Sequence, residues 1–483
     1  MKNYIELSLT EVLEALNKGE VTSVELTKQC LEQIEKTKEL NLLHEVCSEI
    51  ALKKAQEVDE KRAKGEKLGR LAGVPIVLKD NISMIDTYTT CSSKFLEDYK
   101  SPYNATVAQK LIDADAVIIG KANMDEFAMG SSSENCAFGV VRNPRNPECV
   151  PGGSSGGSAG TVGAFQCFGA LGTDTGGSIR QPASYCGVVG MKPTYGAVSR
   201  YGVVAYASSL DQVGPLTRTV RDNALLLSVI AGNDKQHEVT SSVNEFETDY
   251  ENSFTDSVKG LKIGIAKEFF ELNMNEDVEK AIKDAIDFYV ANGAELVDIS
   301  IPNIKDSLAV YYVLASAEAT SNLARFDGIK YGRAGTDYKD VTDFYFKSRS
   351  QGFGKEVKRR IMLGNFVLSS GYFDAYYNKA KAVQNLIIEQ FNKAFEKCDI
   401  ILCPTAPTTA FKIGQKVTNP VEMYLNDIFT VPVNIATLPG LSIPCGESNG
   451  MPIGLQLIGA RFSEKTIYNA GDFFERNFNK EGK

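Results

Sequence analysis

The chain has 483 residues, 43% hydrophobic and 23% charged, with a net charge of −9. That composition excludes a mostly disordered chain, and the acidic balance argues against a protein that grips nucleic acid by itself. The two histidines, His44 and His237, cannot build a site of several histidine metal ligands and leave a Ser-His-Asp triad two candidate bases at most.

Ser8-Leu9-Thr10-Glu11 and Thr22-Ser23-Val24-Glu25 are capping-box patterns. They predict two short helices, the first stopping near Gly19. A charged helical stretch follows and runs to about Gly65. The opening MKNYIELSLTEVLEAL carries acids early and no apolar h-region, so no signal peptide is expected. No apolar run approaches the ~20 residues of a membrane span. Apolar runs at 71–78 (LAGVPIVL) and 116–119 (AVII) suit buried strands, and residues 151–175 are dense in Gly, Ser and other small side chains. Further strands are expected at 261–266, 295–301, 400–403, 441–445 and 453–458, with helices at 276–292 and 379–397 between them. Strands alternating with helices predict an α/β fold with a largely parallel or mixed sheet. Without an internal repeat or a long linker, one large domain is expected, with a helical segment at 1–65 and a polar surface excursion at 235–258. None of the ten cysteines forms a C-x-x-C pair, which argues against a zinc ribbon and for free thiols in a reducing cytosol.

Three features can carry chemistry. Lys79 closes the run LAGVPIVLK. It is either a lysine snorkelling to solvent or a desolvated one, whose lowered pKa would make it a neutral base. Asp80 follows it, but successive strand residues point to opposite faces, so it need not neutralise Lys79. The stretch Gly152-Gly153-Ser154-Ser155-Gly156-Gly157-Ser158 is either a flexible linker or a tight loop with unusual backbone angles. It lacks the Gly-Lys-Ser/Thr of a P-loop. It matches G-x-S-x-G by letter, but a nucleophile elbow would need His237, which sits in the polar NDKQHEVTSS. Gly172-Thr173-Asp174-Thr175-Gly176-Gly177-Ser178 offers a serine beside free backbone N–H groups, suited to a nucleophile at an oxyanion hole or to a plain helix cap or turn. Together, one lysine and two Gly-flanked serines supply base, relay and nucleophile without any histidine.

On these residues the sequence resembles the amidase signature family. GGSSGGSAG at 152–160 and GTDTGGSIRQPA at 172–183 are similar to the family's signature block, and Ser154 follows Lys79 by 75 residues and precedes Ser178 by 24. The resemblance implies a mixed central sheet covered by helices on both faces, a catalytic core over 70–230 and the rest of the sheet with a substrate-binding half over 260–483. It implies Ser178 as the acylated nucleophile, Ser154 as a bridging serine after a cis peptide, and Lys79 as the base. Thr175, Gly176, Gly177 and Ser178 would supply the oxyanion-hole N–H groups. NMDEFAMGSSSENCAFG at 123–139, YYVLASAEATSNLARFDGIKYG at 311–332, EVKRRIMLG at 356–364, MYLNDIFTVPVN at 423–434 and LPGLSIPCG at 438–446 extend the match nearly end to end. These later blocks resemble the glutamine-hydrolysing chains of tRNA-dependent amidotransferases. One departure is the segment after Asn233, which reads DKQHEVTSS where such chains carry a second Asp.

That resemblance implies Arg360 on the substrate α-carboxylate, with Arg359 as its rival, Asp427 on the α-ammonium, and Tyr311, Met129 and Gly130 beside them. It implies no metal and no cofactor in this chain, with ATP and Mg²⁺ held by a B subunit that also binds Glu-tRNA(Gln) or Asp-tRNA(Asn). A small C subunit would complete a cytoplasmic heterotrimer without membrane contact. Three readings compete with it: a stand-alone amidase acting on another carboxamide, a non-catalytic scaffold, and a His237-dependent hydrolase.

Overall fold

The computed structural model describes residues 2–237, 245–252, 254–416 and 420–478. One sheet of eleven strands runs through them: β1 (Leu43–Val46), β2 (Pro75–Lys79), β3 (Val117–Ala122), β4 (Gly169–Asp174), β5 (Val189–Lys192), β6 (Gln212–Thr217), β7 (Lys262–Ala266), β8 (Glu295–Ile299), β9 (Ile400–Pro404), β10 (Gly440–Ser448) and β11 (Met451–Gly459). Their order is β1-β3-β2-β4-β6-β5-β10-β11-β9-β7-β8. The sheet is mixed. β2 runs parallel to β3 and β4, and β7 parallel to β8 and β9, while the strands between β4 and β9 pair antiparallel.

Helices cover both faces, which is why the central strands are apolar on both sides. Ile400, Leu402, Leu455 and Leu457 enter one buried cluster; Ile401, Cys403 and Ile458, alternating with them, enter the other. Both N-terminal capping boxes form. Ser8 Oγ accepts from Glu11 N at 3.2 Å and Glu11 Oε2 from Ser8 N at 2.8 Å, and Thr22 and Glu25 do the same for the second helix.

All seven strands expected from apolar runs are present, with ends shifted by a few residues. Four were not visible in the sequence. β4 reads GALGTD and β6 reads QVGPLT, with glycines and a proline that propensity assigns to turns. Pro215 is tolerated because β6 pairs with β5 only at Leu216 and Thr217. β1 and β5 are four residues long, too short for a periodic signal. Residues 238–244 and 253 of the polar 235–258 segment lie outside the described residues; within the rest, Tyr250 and Val258 are buried.

Candidate active site

Lys79 ends β2 with no solvent exposure. Its Nζ lies 2.7 Å from Ser154 Oγ, 2.8 Å from Ser155 Oγ and 2.9 Å from Thr173 Oγ1. Burial pulls its pKa down to about 7, against the pull of Asp125, Asp174 and Asp211. The hydroxyls around it are not equivalent. Ser155 Oγ donates to Thr173 O at 3.1 Å and accepts from Thr173 N at 3.2 Å. Thr173 Oγ1 accepts from Asn81 Nδ2 at 3.2 Å. The Ser154 hydroxyl makes no such second bond among the described residues, so its proton is available to an unprotonated Nζ.

The Gly/Ser stretch is a tight loop followed by a helix. Gly152 has φ +83°, the Gly153–Ser154 peptide is cis, and the helix Gly156–Gly163 starts at once. A Cβ on Gly153 would stand 2.1 Å from Asp125 Oδ2, so only glycine fits. Gly153 N donates to Gln181 Oε1 at 2.9 Å, and Asp125 N donates to Ser154 O at 3.3 Å.

Beyond β4 the chain turns tightly around the Asp174 carboxylate. That group accepts from Gly177 N (2.8 Å), Ile179 N (3.2 Å), Arg180 Nε and Nη2 (both 3.0 Å) and Asn434 Nδ2 (2.9 Å). Burial works to raise its pKa, but the Arg180 guanidinium, joined by Lys192 and the Asn434 amide, brings it down to about 2. Arg180 is fully buried and also donates to Thr430 O, Gln456 Oε1 and Asn434 Oδ1. Gly177 has φ +136°, and a Cβ there would meet Thr430 Oγ1 at 2.2 Å. Ser178 follows on this turn, 7% exposed, and its carbonyl accepts from Ser155 N at 3.2 Å, which ties the two serine loops together.

Of the N–H groups assigned to an oxyanion hole, that of Gly177 is held by Asp174. Those of Thr175, Gly176 and Ser178 have no protein acceptor among the described residues. Thr175 Oγ1 donates to Asp211 Oδ1 at 2.5 Å, and a Cβ on Gly176 would meet the Tyr311 ring at 2.7 Å.

Arg360 is 3% exposed and lies among the rings of Tyr206, Tyr312 and Tyr424, 5.9, 4.7 and 5.1 Å from their centroids. Its Nε donates to Glu356 Oε1 at 2.7 Å and its Nη1 to Tyr206 OH at 2.6 Å. Arg359 is partly exposed and pairs with the same Glu356. A cleft of about 540 Å³ is lined by Gly130, Glu356, Arg359, Arg360 and Tyr424 among others. Met129, which precedes Gly130 in the chain, is fully buried. Asp427 is 7% exposed and accepts from Ser131 Oγ at 2.5 Å. Burial lifts its pKa to about 7 against that hydroxyl and Arg360. Tyr311 links this region to the serine turn through Gly176.

Neither histidine approaches the serines through any described contact. His44 packs on Phe138 with ring centroids 4.3 Å apart, and His237 stacks on Tyr201 at 3.4 Å beside Asp234. Among the described residues no group of three or more His, Cys, Asp or Glu is arranged to hold a metal ion. No described helix is long and apolar enough to cross a membrane. Sequence reading missed Asp174 and Arg180, although both lie inside the block that drew attention to Ser178. It also missed Tyr206, Asp211 and Glu356, whose roles depend on contacts with distant segments.

The family model described as Amidase matches residues 25–468. The curated A chain of the glutamyl-tRNA(Gln) amidotransferase of Thermoanaerobacter pseudethanolicus is 53% identical over 471 residues, 97% of this chain and 96% of that one. Its counterpart from Ligilactobacillus salivarius is 51% identical over 476 residues, 98% of this chain and 97% of its own. Among solved structures, the corresponding glutamyl-tRNA(Gln) amidotransferase chain from Thermotoga maritima is 41% identical with a TM-score of 0.81, covering 98% of this chain and 95% of that one. The peptide amidase of Stenotrophomonas maltophilia is 28% identical with a TM-score of 0.83, covering 98% and 97%.

Proposed function

The chain belongs to the amidase family, and on that premise we propose that it is the glutaminase component of a tRNA-dependent amidotransferase, releasing ammonia from glutamine to amidate Glu-tRNA(Gln). The carrying observation is the 2.7 Å contact between the buried Lys79 Nζ and Ser154 Oγ. A lysine with a pKa near 7 is unprotonated in part at neutral pH. Its lone pair takes the Ser154 proton while Ser154 takes that of Ser178. The Ser178 alkoxide attacks the side-chain carbonyl of glutamine.

The resulting oxyanion is held by the N–H groups of Thr175, Gly176 and Ser178, each such donor being worth about 2.7–4 kcal/mol in known cases. The proton returns through Ser154 to the departing nitrogen. Ammonia leaves, and water activated by the same Ser154–Lys79 path opens the γ-glutamyl ester and frees glutamate. Arg360 binds the α-carboxylate end-on through Nη1 and Nη2, its Nε being held by Glu356. Asp427 pairs with the α-ammonium, whose charge favours ionised Asp427.

The relatives are components of a multi-chain enzyme, and this chain works in such an assembly. We place tRNA, ATP and Mg²⁺ on a B subunit, with a small C subunit completing a cytoplasmic heterotrimer. The acidic charge supports this division, because little in it favours direct tRNA binding.

The test is to purify the assembly through a tag on this chain and measure glutamine-dependent amidation of Glu-tRNA(Gln) and Asp-tRNA(Asn). Two co-purifying chains and an activity lost in Ser178→Ala support the reading. A lone chain that hydrolyses other carboxamides and ignores glutamine would replace it with the stand-alone amidase.

A further inference from the structure

Glu126 belongs to the block at 123–139, yet none of the steps above uses it. It is 4% exposed, and both carboxylate oxygens are engaged: Ser93 Oγ donates to Oε1, and Gly354 N donates to Oε2 at 2.8 Å. Gly354 is the N-cap of the helix Lys355–Leu368 and lends that helix no side-chain cap of its own. Glu126 therefore caps, from 228 residues away in sequence, the helix that carries Glu356 and Arg360. A carboxylate at that end also meets the positive pole of the helix. The glycine makes this approach possible, since a Cβ on residue 354 would lie 2.3 Å from Glu126 Oε2.

The residues flanking Glu126 reach the other parts of the site. Asp125 N donates to the carbonyl of Ser154 at 3.3 Å, and the Asp125 carboxylate accepts from Ser133 N and Asn135 N. Ser131 Oγ donates to Asp427. Phe127 and Ala128, with φ +50° and +62°, turn the chain sharply between these contacts. One short segment thus touches the relay serine, the ammonium-binding aspartate and the helix of the carboxylate-binding arginine. The distance between the reacting carbonyl and the α-carboxylate is the quantity that separates glutamine from asparagine, which is one methylene shorter.

We propose that Glu126 is a positioning residue that fixes the span between Ser178 and Arg360 and thereby sets the preference for glutamine over asparagine. The inference rests on the glutaminase reading above. Glu126 touches no reacting atom; it acts by anchoring the helix start through Gly354.

The test compares kcat/KM for ammonia release from glutamine and from asparagine in the assembled complex. Discrimination over one methylene is commonly about 10–200-fold. In Glu126→Ala the glutamine:asparagine ratio should fall about tenfold, through a higher KM for glutamine, with kcat within about threefold of wild type. Gly354→Ala, which pushes the helix start off the carboxylate from the other side, should lower the ratio in the same way. Glu126→Gln keeps an acceptor for Gly354 N–H and should hold the ratio within about twofold. Should Glu126→Ala not assemble, Gly354→Ala and Glu126→Gln decide the matter between them. A ratio that stays at the wild-type value in Gly354→Ala, or activities on both substrates that fall in step, overturns the inference and leaves the glutaminase reading intact. A wild-type complex that releases no ammonia from glutamine overturns both.

Discussion

Lys79 and Asp80 are neighbours in the chain but serve opposite faces of the sheet: Lys79 Nζ stands 2.7 Å from Ser154 Oγ, while the Asp80 carboxylate lies 3.4 Å from Lys121 Nζ, with both members of that pair fully buried. The strand's two-residue period keeps the nearest carboxylate in sequence away from the lysine. Among the described residues Lys79 has no contacting counter-ion, and burial lowers its pKa to about 7.

This gives a pH dependence of defined sign. Below about pH 7 Lys79 is an ammonium without a lone pair and cannot accept the Ser154 proton. The rate of glutamine hydrolysis should climb about tenfold per pH unit toward pH 7 and level off above it. Asp427, also raised to about 7, must be ionised to hold the ammonium and acts in the same direction on KM. The two separate in a pH profile of kcat at saturating glutamine, which follows Lys79. Lys79→Met should abolish that limb and lower kcat by about 10²–10⁴-fold, with the fold retained because an apolar side chain fills the space.

The Asp174–Arg180 pair forms the skeleton of the nucleophile turn. Removing one partner strands a buried charge. Arg180→Met should therefore cost about 3–5 kcal/mol of stability, measured by denaturant unfolding, while a surface pair such as Lys283–Glu279 contributes under about 1 kcal/mol. Asp174→Asn keeps the size but leaves the buried Arg180 guanidinium without its counter-charge, so it should cost stability on the same scale, about 3–5 kcal/mol, and it also releases the N–H groups of Gly177 and Ile179 from a charged acceptor, so activity should fall as well.

The Arg360 box predicts a division between two adjacent arginines. Arg360→Lys removes a planar end-on fork and should raise KM for glutamine about 10–100-fold with a smaller change in kcat. Arg359→Ala, on the partly exposed side, should change KM by less than about threefold. Tyr206→Phe takes away the hydroxyl that accepts from Nη1 at 2.6 Å and should give an intermediate rise. Steady-state kinetics of the three variants in the assembled complex checks the order.

The site was legible where residues close in sequence carry the chemistry. The lysine ending an apolar run and the two Gly-flanked serines stand out as letters, and the contacts of Lys79 and the tie between Ser155 and Ser178 join them in space. The bond between Asp174 and Arg180 was hidden although the two are six residues apart, because the turn bringing them together depends on Asn434, Thr430 and Gln456. The hold of Tyr206 on Arg360 crosses 154 residues and has no local signal. The fold shows the same division. Val/Ile/Leu runs marked β7, β9 and β11, but β4 and β6 are strands because their neighbours supply the ladder that their glycines and proline do not favour.

The most direct test of the mechanism is to find where glutamine becomes covalently attached. The assembled complex is quenched in acid during turnover, and this chain is digested and analysed by mass spectrometry. The expected result is a γ-glutamyl ester on Ser178 that is absent from Ser178→Ala, which should also release no ammonia. An adduct on another residue, or glutamine hydrolysis surviving in Ser178→Ala, would contradict it.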